Sequence, residues 1–158
     1  MDKLHWEILD GERNKLLPLF SSFRDDFYLA GETALALQIG HRDSIDFDFF
    51  TKNNFSSWEL FKKLKGVFVG YEMVKVQEEK DTLTVLIDEK IKVSFFTYPY
   101  DLIKPLMSLL QKGRCTIFVR RKWEKVGKNV SNNCNLLMKT PKNTIKLGKN
   151  YTRFLKIG

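Results

Sequence analysis

Leu29-Ala30-Gly31-Glu32-Thr33-Ala34-Leu35-Ala36-Leu37-Gln38-Ile39-Gly40-His41-Arg42-Asp43-Ser44-Ile45-Asp46-Phe47-Asp48-Phe49-Phe50 changes its pattern twice within one short stretch. The apolar run Phe27–Ala30 stops at Gly31, as a buried strand does. Glu32 to Ile39 is rich in Ala and Leu, the strongest helix formers, and Gly40 follows in the place of a C-cap. Asp43-Ser44 supplies a turn, and Ile45 to Phe50 then alternates apolar and acidic residues with period two. On a strand, side chains two apart share a face. Asp46 and Asp48 are therefore expected on one face, with Ile45, Phe47 and Phe49 on the other.

Two neighbouring carboxylates repel each other unless positive charge lies between them. Mg²⁺ suits such a pair, because it takes oxygen ligands, commonly one or two carboxylates together with substrate phosphates. Two such ions about 3.5–4 Å apart can activate an attacking oxygen and stabilise a leaving one. Gly31 permits a tight bend from strand to helix, and the amides of the following helical turn are suited to receive a phosphate. Thr33 adds a hydroxyl there, and His41 and Arg42 add positive charge before the acidic strand. An alternating acidic strand is also a common solvated face of an antiparallel sheet, and DxD alone discriminates little. Glycine bend, helix and DxD strand in one unit are far more specific.

Working outward, Asn14 to Phe23 reads as an amphipathic helix interrupted in principle by Pro18. Ser56 or Ser57 is the N-cap of a further helix, with Glu59 in its first turn, Leu60, Phe61 and Leu64 on one face, and Gly66 at its end. Val67–Val76, Thr82–Ile87 and Ile91–Thr97 read as strands, the last two joined at Asp88-Glu89, and Pro99 ends the series. Leu102–Leu110 is predicted as a short helix and Arg114–Trp123 as one strand. The order predicts an α/β (α+β) domain with a mixed sheet flanked by helices.

The chain of 158 residues suits one compact domain. It contains no apolar stretch near the roughly 20 residues of a membrane span and no apolar leader, so a cytoplasmic protein away from membranes is expected. Cys115 and Cys134 fit reduced thiols rather than a disulfide framework. The net charge of +8 is uneven: residues 1–108 carry 14 Lys and Arg against 18 Asp and Glu, whereas residues 109–158 carry 13 against the single acid Glu124. Basicity therefore belongs to the tail, and the chain divides into a core at 1–108 and a basic, weakly patterned tail at 109–158.

With these residues in view, Phe27 to Phe50 resembles the motif of the minimal nucleotidyltransferases, specifically the AbiEii toxin type of bacterial toxin–antitoxin and phage-defence systems. The similarity runs more loosely to about Pro105. The resemblance implies a nucleotidyltransferase fold and transfer of a nucleoside monophosphate from an NTP, with Mg²⁺ or Mn²⁺, to an RNA (tRNA) or protein acceptor. It implies Asp46 and Asp48 as catalytic metal ligands, Gly31, Thr33 and Arg42 as nucleotide or phosphate contacts, and a cognate antitoxin as partner.

Three departures stand beside the resemblance. Glu32 follows Gly31 where this superfamily usually has Gly or Ser, and a carboxylate there repels phosphate unless it turns away or binds metal. Ser94 stands where many members carry a third acid; it shares its strand face with Lys90, Lys92 and Phe96 and reads as structural. The helical half of the family, with its Lys, Arg and Asp residues, has no counterpart after residue 108. The tail then reads as the remainder after truncation or a reading-frame change, leaving a catalytically impaired remnant or binding module; translating the neighbouring frames of the coding DNA tests this. Alternatively it is an RNA-binding arm, with Trp123 and Tyr151 for stacking. In that case RNA affinity falls steeply with added salt and disappears when residues 113–158 are removed.

Overall fold

The computed structural model describes residues 4–41, 43, 45–111 and 114–120. The expectations for Arg42, Ser44, Trp123, Glu124, Cys134, Tyr151 and the tail beyond Arg120 lie outside the described residues.

A 3₁₀ turn at Trp6–Ile8 precedes helix α1 (Gly11–Leu16), which passes directly into a 3₁₀ segment at Leu17–Phe23. The Asp10 carboxylate caps α1 by accepting from the Arg13 amide at 2.8 Å. The expected single helix over 14–23 is thus two pieces. Pro18 falls in the first turn of the second piece, where its missing N–H costs nothing. Strand β1 (Tyr28–Ala30), helix α2 (Gly31–Ile39) and strand β2 (Phe47–Thr51) follow. Gly40 closes α2 in the left-handed conformation at φ +63, where an added Cβ would lie 2.4 Å from the His5 ring. Helix α3 (Ser57–Val67) starts at Ser56, whose hydroxyl accepts from the Glu59 amide at 3.3 Å.

Strands β3 (Met73–Glu79), β4 (Thr82–Ile87) and β5 (Ile91–Thr97) form the expected meander. Asp88 and Glu89, both at positive φ, make the bend between β4 and β5. Strand β3 begins later than the expected Val67, because Val67 completes α3 and buried Phe68 packs on Phe20. Strands β6 (Met107–Gln111) and β7 (Arg114–Val119) complete the sheet. The helix expected over 102–110 is therefore corrected: Leu109 is buried on β6 opposite Ile117 of β7. A short apolar run does not distinguish helix from strand, and here a partner that follows in the chain decides.

The mixed sheet has the order β3-β4-β5-β2-β1-β7-β6, with β1–β7 and β2–β5 parallel and the other neighbours antiparallel. One face carries Leu29, Phe47, Phe49, Leu83, Val85, Val93, Phe95, Ile117 and Val119, all fully buried. Against it lie Leu16, Leu17, Phe20 and Phe23, Ala34 and Leu37 of α2, and Leu60 and Leu64 of α3. Phe20 is central, its ring 4.6 Å from Phe49, 5.0 Å from Phe68 and 5.6 Å from Phe47. Among the described residues no helix is long and apolar enough to cross a membrane.

Phe20→Ala, which empties the centre of this cluster, is expected to lower the unfolding free energy by about 3–5 kcal/mol. Urea denaturation followed by circular dichroism measures it as a lower midpoint with little change in slope.

Candidate active site

Antiparallel pairing of β1 with β2 sets Ala30 opposite Asp48. The next residue, Gly31, turns the chain into α2 at φ +71. A Cβ built on Gly31 would stand 2.8 Å from Asp48 Oδ2 and 3.3 Å from Asp48 Cβ. A side chain at this position would be strained by both its backbone and its neighbour, so glycine here keeps room for the carboxylate. Ala30, at the N-cap of α2, brings no side-chain acceptor to the first turn.

Parallel pairing of β2 with β5 sets Asp48 opposite Ser94. Lys92, two residues earlier on the same face of β5, places its Nζ 3.5 Å from Asp46 Oδ2. Burial raises the Asp48 carboxyl from its ordinary 3.8 to about 6; the Lys92 charge opposes this and the Asp46 charge adds to it. Asp46, Asp48 and Lys92 thus form one electrostatic cluster beside Gly31. Ser94 is buried, and the Thr84 hydroxyl donates to its Oγ at 3.3 Å.

Strand β2 begins at Phe47, so Asp46 lies in the approach to the strand rather than within it. Ile45 accordingly leaves the apolar face expected for it and is 64% exposed, whereas Phe47 and Phe49 are fully buried. Two side chains hold this approach. Arg13, nearly buried, donates from Nε to the Ile45 carbonyl at 2.7 Å and pairs with Asp10. Thr33, 2% exposed, donates its hydroxyl to the Asp46 carbonyl. The Thr33 side chain is therefore directed at the main chain that carries Asp46. His41 is exposed.

The sequence carries no local signal for the role of Arg13. It is 32 positions from Ile45, and no local pattern links them. Lys92 was visible only as a neighbour of Ser94 along β5. Among the described residues no group of three or more His, Cys, Asp and Glu side chains is placed to hold a metal ion. Two carboxylates beside a crevice that a Cβ would fill do fit an ion that completes its shell with phosphate oxygens and water.

The raised Asp48 value carries a stability consequence. An acid whose folded value exceeds its ordinary one favours the fold while protonated and disfavours it once ionised. Stability from this group is thus greatest below pH 3.8 and declines as pH rises toward about 6. Without divalent ions, Asp48→Asn is expected to raise the melting midpoint at pH 7. The difference from the unsubstituted chain should shrink steadily toward pH 4, as thermal melts in chelator would record.

The family model described as nucleotidyl transferase AbiEii toxin, Type IV TA system, matches residues 17–107, more than half of the chain. An uncharacterized protein of Aquifex aeolicus is 43% identical over 82 residues, covering 51% of this chain and 38% of its own length. The crystal structure of JHP933 from Helicobacter pylori superposes with a TM-score of 0.50 at 16% identity, over 75% of this chain and 53% of that one; the likeness concerns the fold. A CCA-adding enzyme solved with CTP gives a TM-score of 0.44 at 20% identity, over 58% of this chain and 22% of that one. The chain therefore spans about four-tenths to one half of the relatives' lengths that lead these comparisons. The family match extends over more than half of the chain, and the chain belongs to the AbiEii nucleotidyl transferase toxin family.

Proposed function

We propose that the chain is a metal-dependent nucleotidyltransferase that moves a nucleoside monophosphate from an NTP to a tRNA or protein acceptor. It would act in the cytoplasm as a toxin restrained by a cognate antitoxin. The observation that carries this reading is the packing of Asp48 against Gly31, with Asp46 beside it. Asp46 and Asp48 would hold Mg²⁺ or Mn²⁺, which supplies charge neutralisation and polarisation of the α-phosphate.

The remaining work falls to this chain's own groups. The first turn of α2, entered at Gly31 without a side-chain cap, offers main-chain amides to the triphosphate. Arg42 is assigned to the same phosphates. Thr33 contributes by fixing the Asp46 main chain and so the direction of its carboxylate. The acceptor hydroxyl then attacks the α-phosphorus as the bond to the pyrophosphate oxygen breaks, and catalysis consists of positioning and charge stabilisation.

A second reading has one specific observation in its favour. Ser94, opposite Asp48, is neutral and buried, so the place of a third acid offers no further anion. On that reading the chain binds Mg·NTP and does not turn it over.

Incubation with labelled NTPs, Mg²⁺ and total tRNA is expected to label an acceptor. Asp46→Ala with Asp48→Ala should reduce labelling by about 10²-fold or more, the scale of losing one group that stabilises transition-state charge. Mg·NTP binding by calorimetry without any labelling would instead select the second reading. If neither binding nor labelling occurs with any divalent ion, both fail.

A further inference from the structure

Lys92 is a cation placed among the groups that would receive a cation. Its Nζ lies 3.5 Å from Asp46 Oδ2, and both side chains are partly exposed, at 43% and 39%. Such an exposed pair adds little to folding stability, so its position calls for another explanation. The local charge gives one. Two carboxylates with one ammonium carry a net charge of −1, and Ser94 opposite Asp48 adds none. That is a poor trap for a free divalent ion, because any ion reaching Asp46 must displace or face the ammonium. An ion arriving with a triphosphate meets a different balance, since phosphate oxygens can take the ammonium as it leaves the carboxylate.

We propose that Lys92 couples metal loading to nucleotide: paired with Asp46 in the free protein, it weakens binding of the bare ion and transfers to a phosphate oxygen when the ion arrives as a metal·NTP complex. This rests on the placement of the divalent ion at Asp46 and Asp48. Lys92 is accordingly a positioning residue, its ammonium beside Asp46 and near enough to Asp48 for its charge to act on that carboxyl. The four-carbon stem allows the exchange, and the strand register holds Lys92 level with Asp46 and two residues from Ser94, which stands opposite Asp48.

The test uses the full chain, Mn²⁺ as the ion, and a non-hydrolysable NTP. Free Mn²⁺ is counted by electron paramagnetic resonance, and nucleotide binding by calorimetry. Lys92→Met keeps most of the stem without the charge, Lys92→Arg keeps the charge, and Asp46→Ala identifies the site. Lys92→Met is expected to bind Mn²⁺ alone at least about fivefold more tightly, the factor equivalent to about 1 kcal/mol for unit charges 4 Å apart in water. The same variant should bind the Mn·NTP analogue at least about fivefold more weakly, and Lys92→Arg should recover most of both values. Unchanged or weaker Mn²⁺ binding in Lys92→Met, or unchanged nucleotide binding, overturns the role of Lys92. If Mn²⁺ binding is lost in Asp46→Ala yet untouched in Lys92→Met, the metal site stands and only the coupling fails. If neither the unsubstituted chain nor Lys92→Met binds Mn²⁺, the placement of the ion fails together with it.

Discussion

The close approach of Asp48 to the backbone of Gly31 is the constraint on which the candidate site depends. It arises from three local facts that must coincide. Strand β1 ends opposite Asp48, the next residue turns the chain at positive φ, and that residue has no Cβ to collide with the carboxylate. A helix then starts at the bend, with Ala30 at its N-cap, bringing its first turn to the side of the carboxylate. Any residue but glycine would have to move the acid or the backbone, and the juxtaposition would be lost.

The apolar side of the sheet supplies the rigidity this arrangement needs. Phe47 and Phe49 flank Asp48 in the chain and point into the core, where Phe20 and Phe95 pack on them. Because strand side chains alternate, the firm burial of these two rings fixes the direction of Asp48 between them. Asp46 lacks that support, lying just outside the ladder. Arg13 and Thr33 replace it by holding successive carbonyls of the approach. One carboxylate is thus aimed by strand packing and the other by side chains from two helices.

Electrostatically the cluster is unequal. Burial holds the Asp48 carboxyl up, while the more open Asp46 faces the Lys92 ammonium. The buried Ser94 bonded to Thr84 makes the neighbouring position on β5 part of the sheet's internal packing. Among the described residues, Asp46, Asp48 and Lys92 act on one another's charge, and the response of these three groups to ions and phosphates follows from that balance.

Local pattern was sufficient for most of the fold. The period-two runs of β2, β4 and β5, the Ala- and Leu-rich α2 with its closing Gly40, and the Ser56–Glu59 start of α3 are each written in a few adjacent residues. The glycine bend and the DxD segment are each legible in the same way, whereas their juxtaposition is set by the antiparallel register of β1 with β2. What the sequence could not decide depends on partners distant along the chain. Residues 107–111 became a strand because β7 pairs with them, Arg13 reaches the Ile45 carbonyl from 32 positions away, and Lys92 met Asp46 because β5 lies parallel to β2. The sequence by itself determined which groups carry charge and which backbone positions bend. Only the tertiary structure decided which of them meet, since hydrogen-bond register and packing between remote segments leave no local periodic trace.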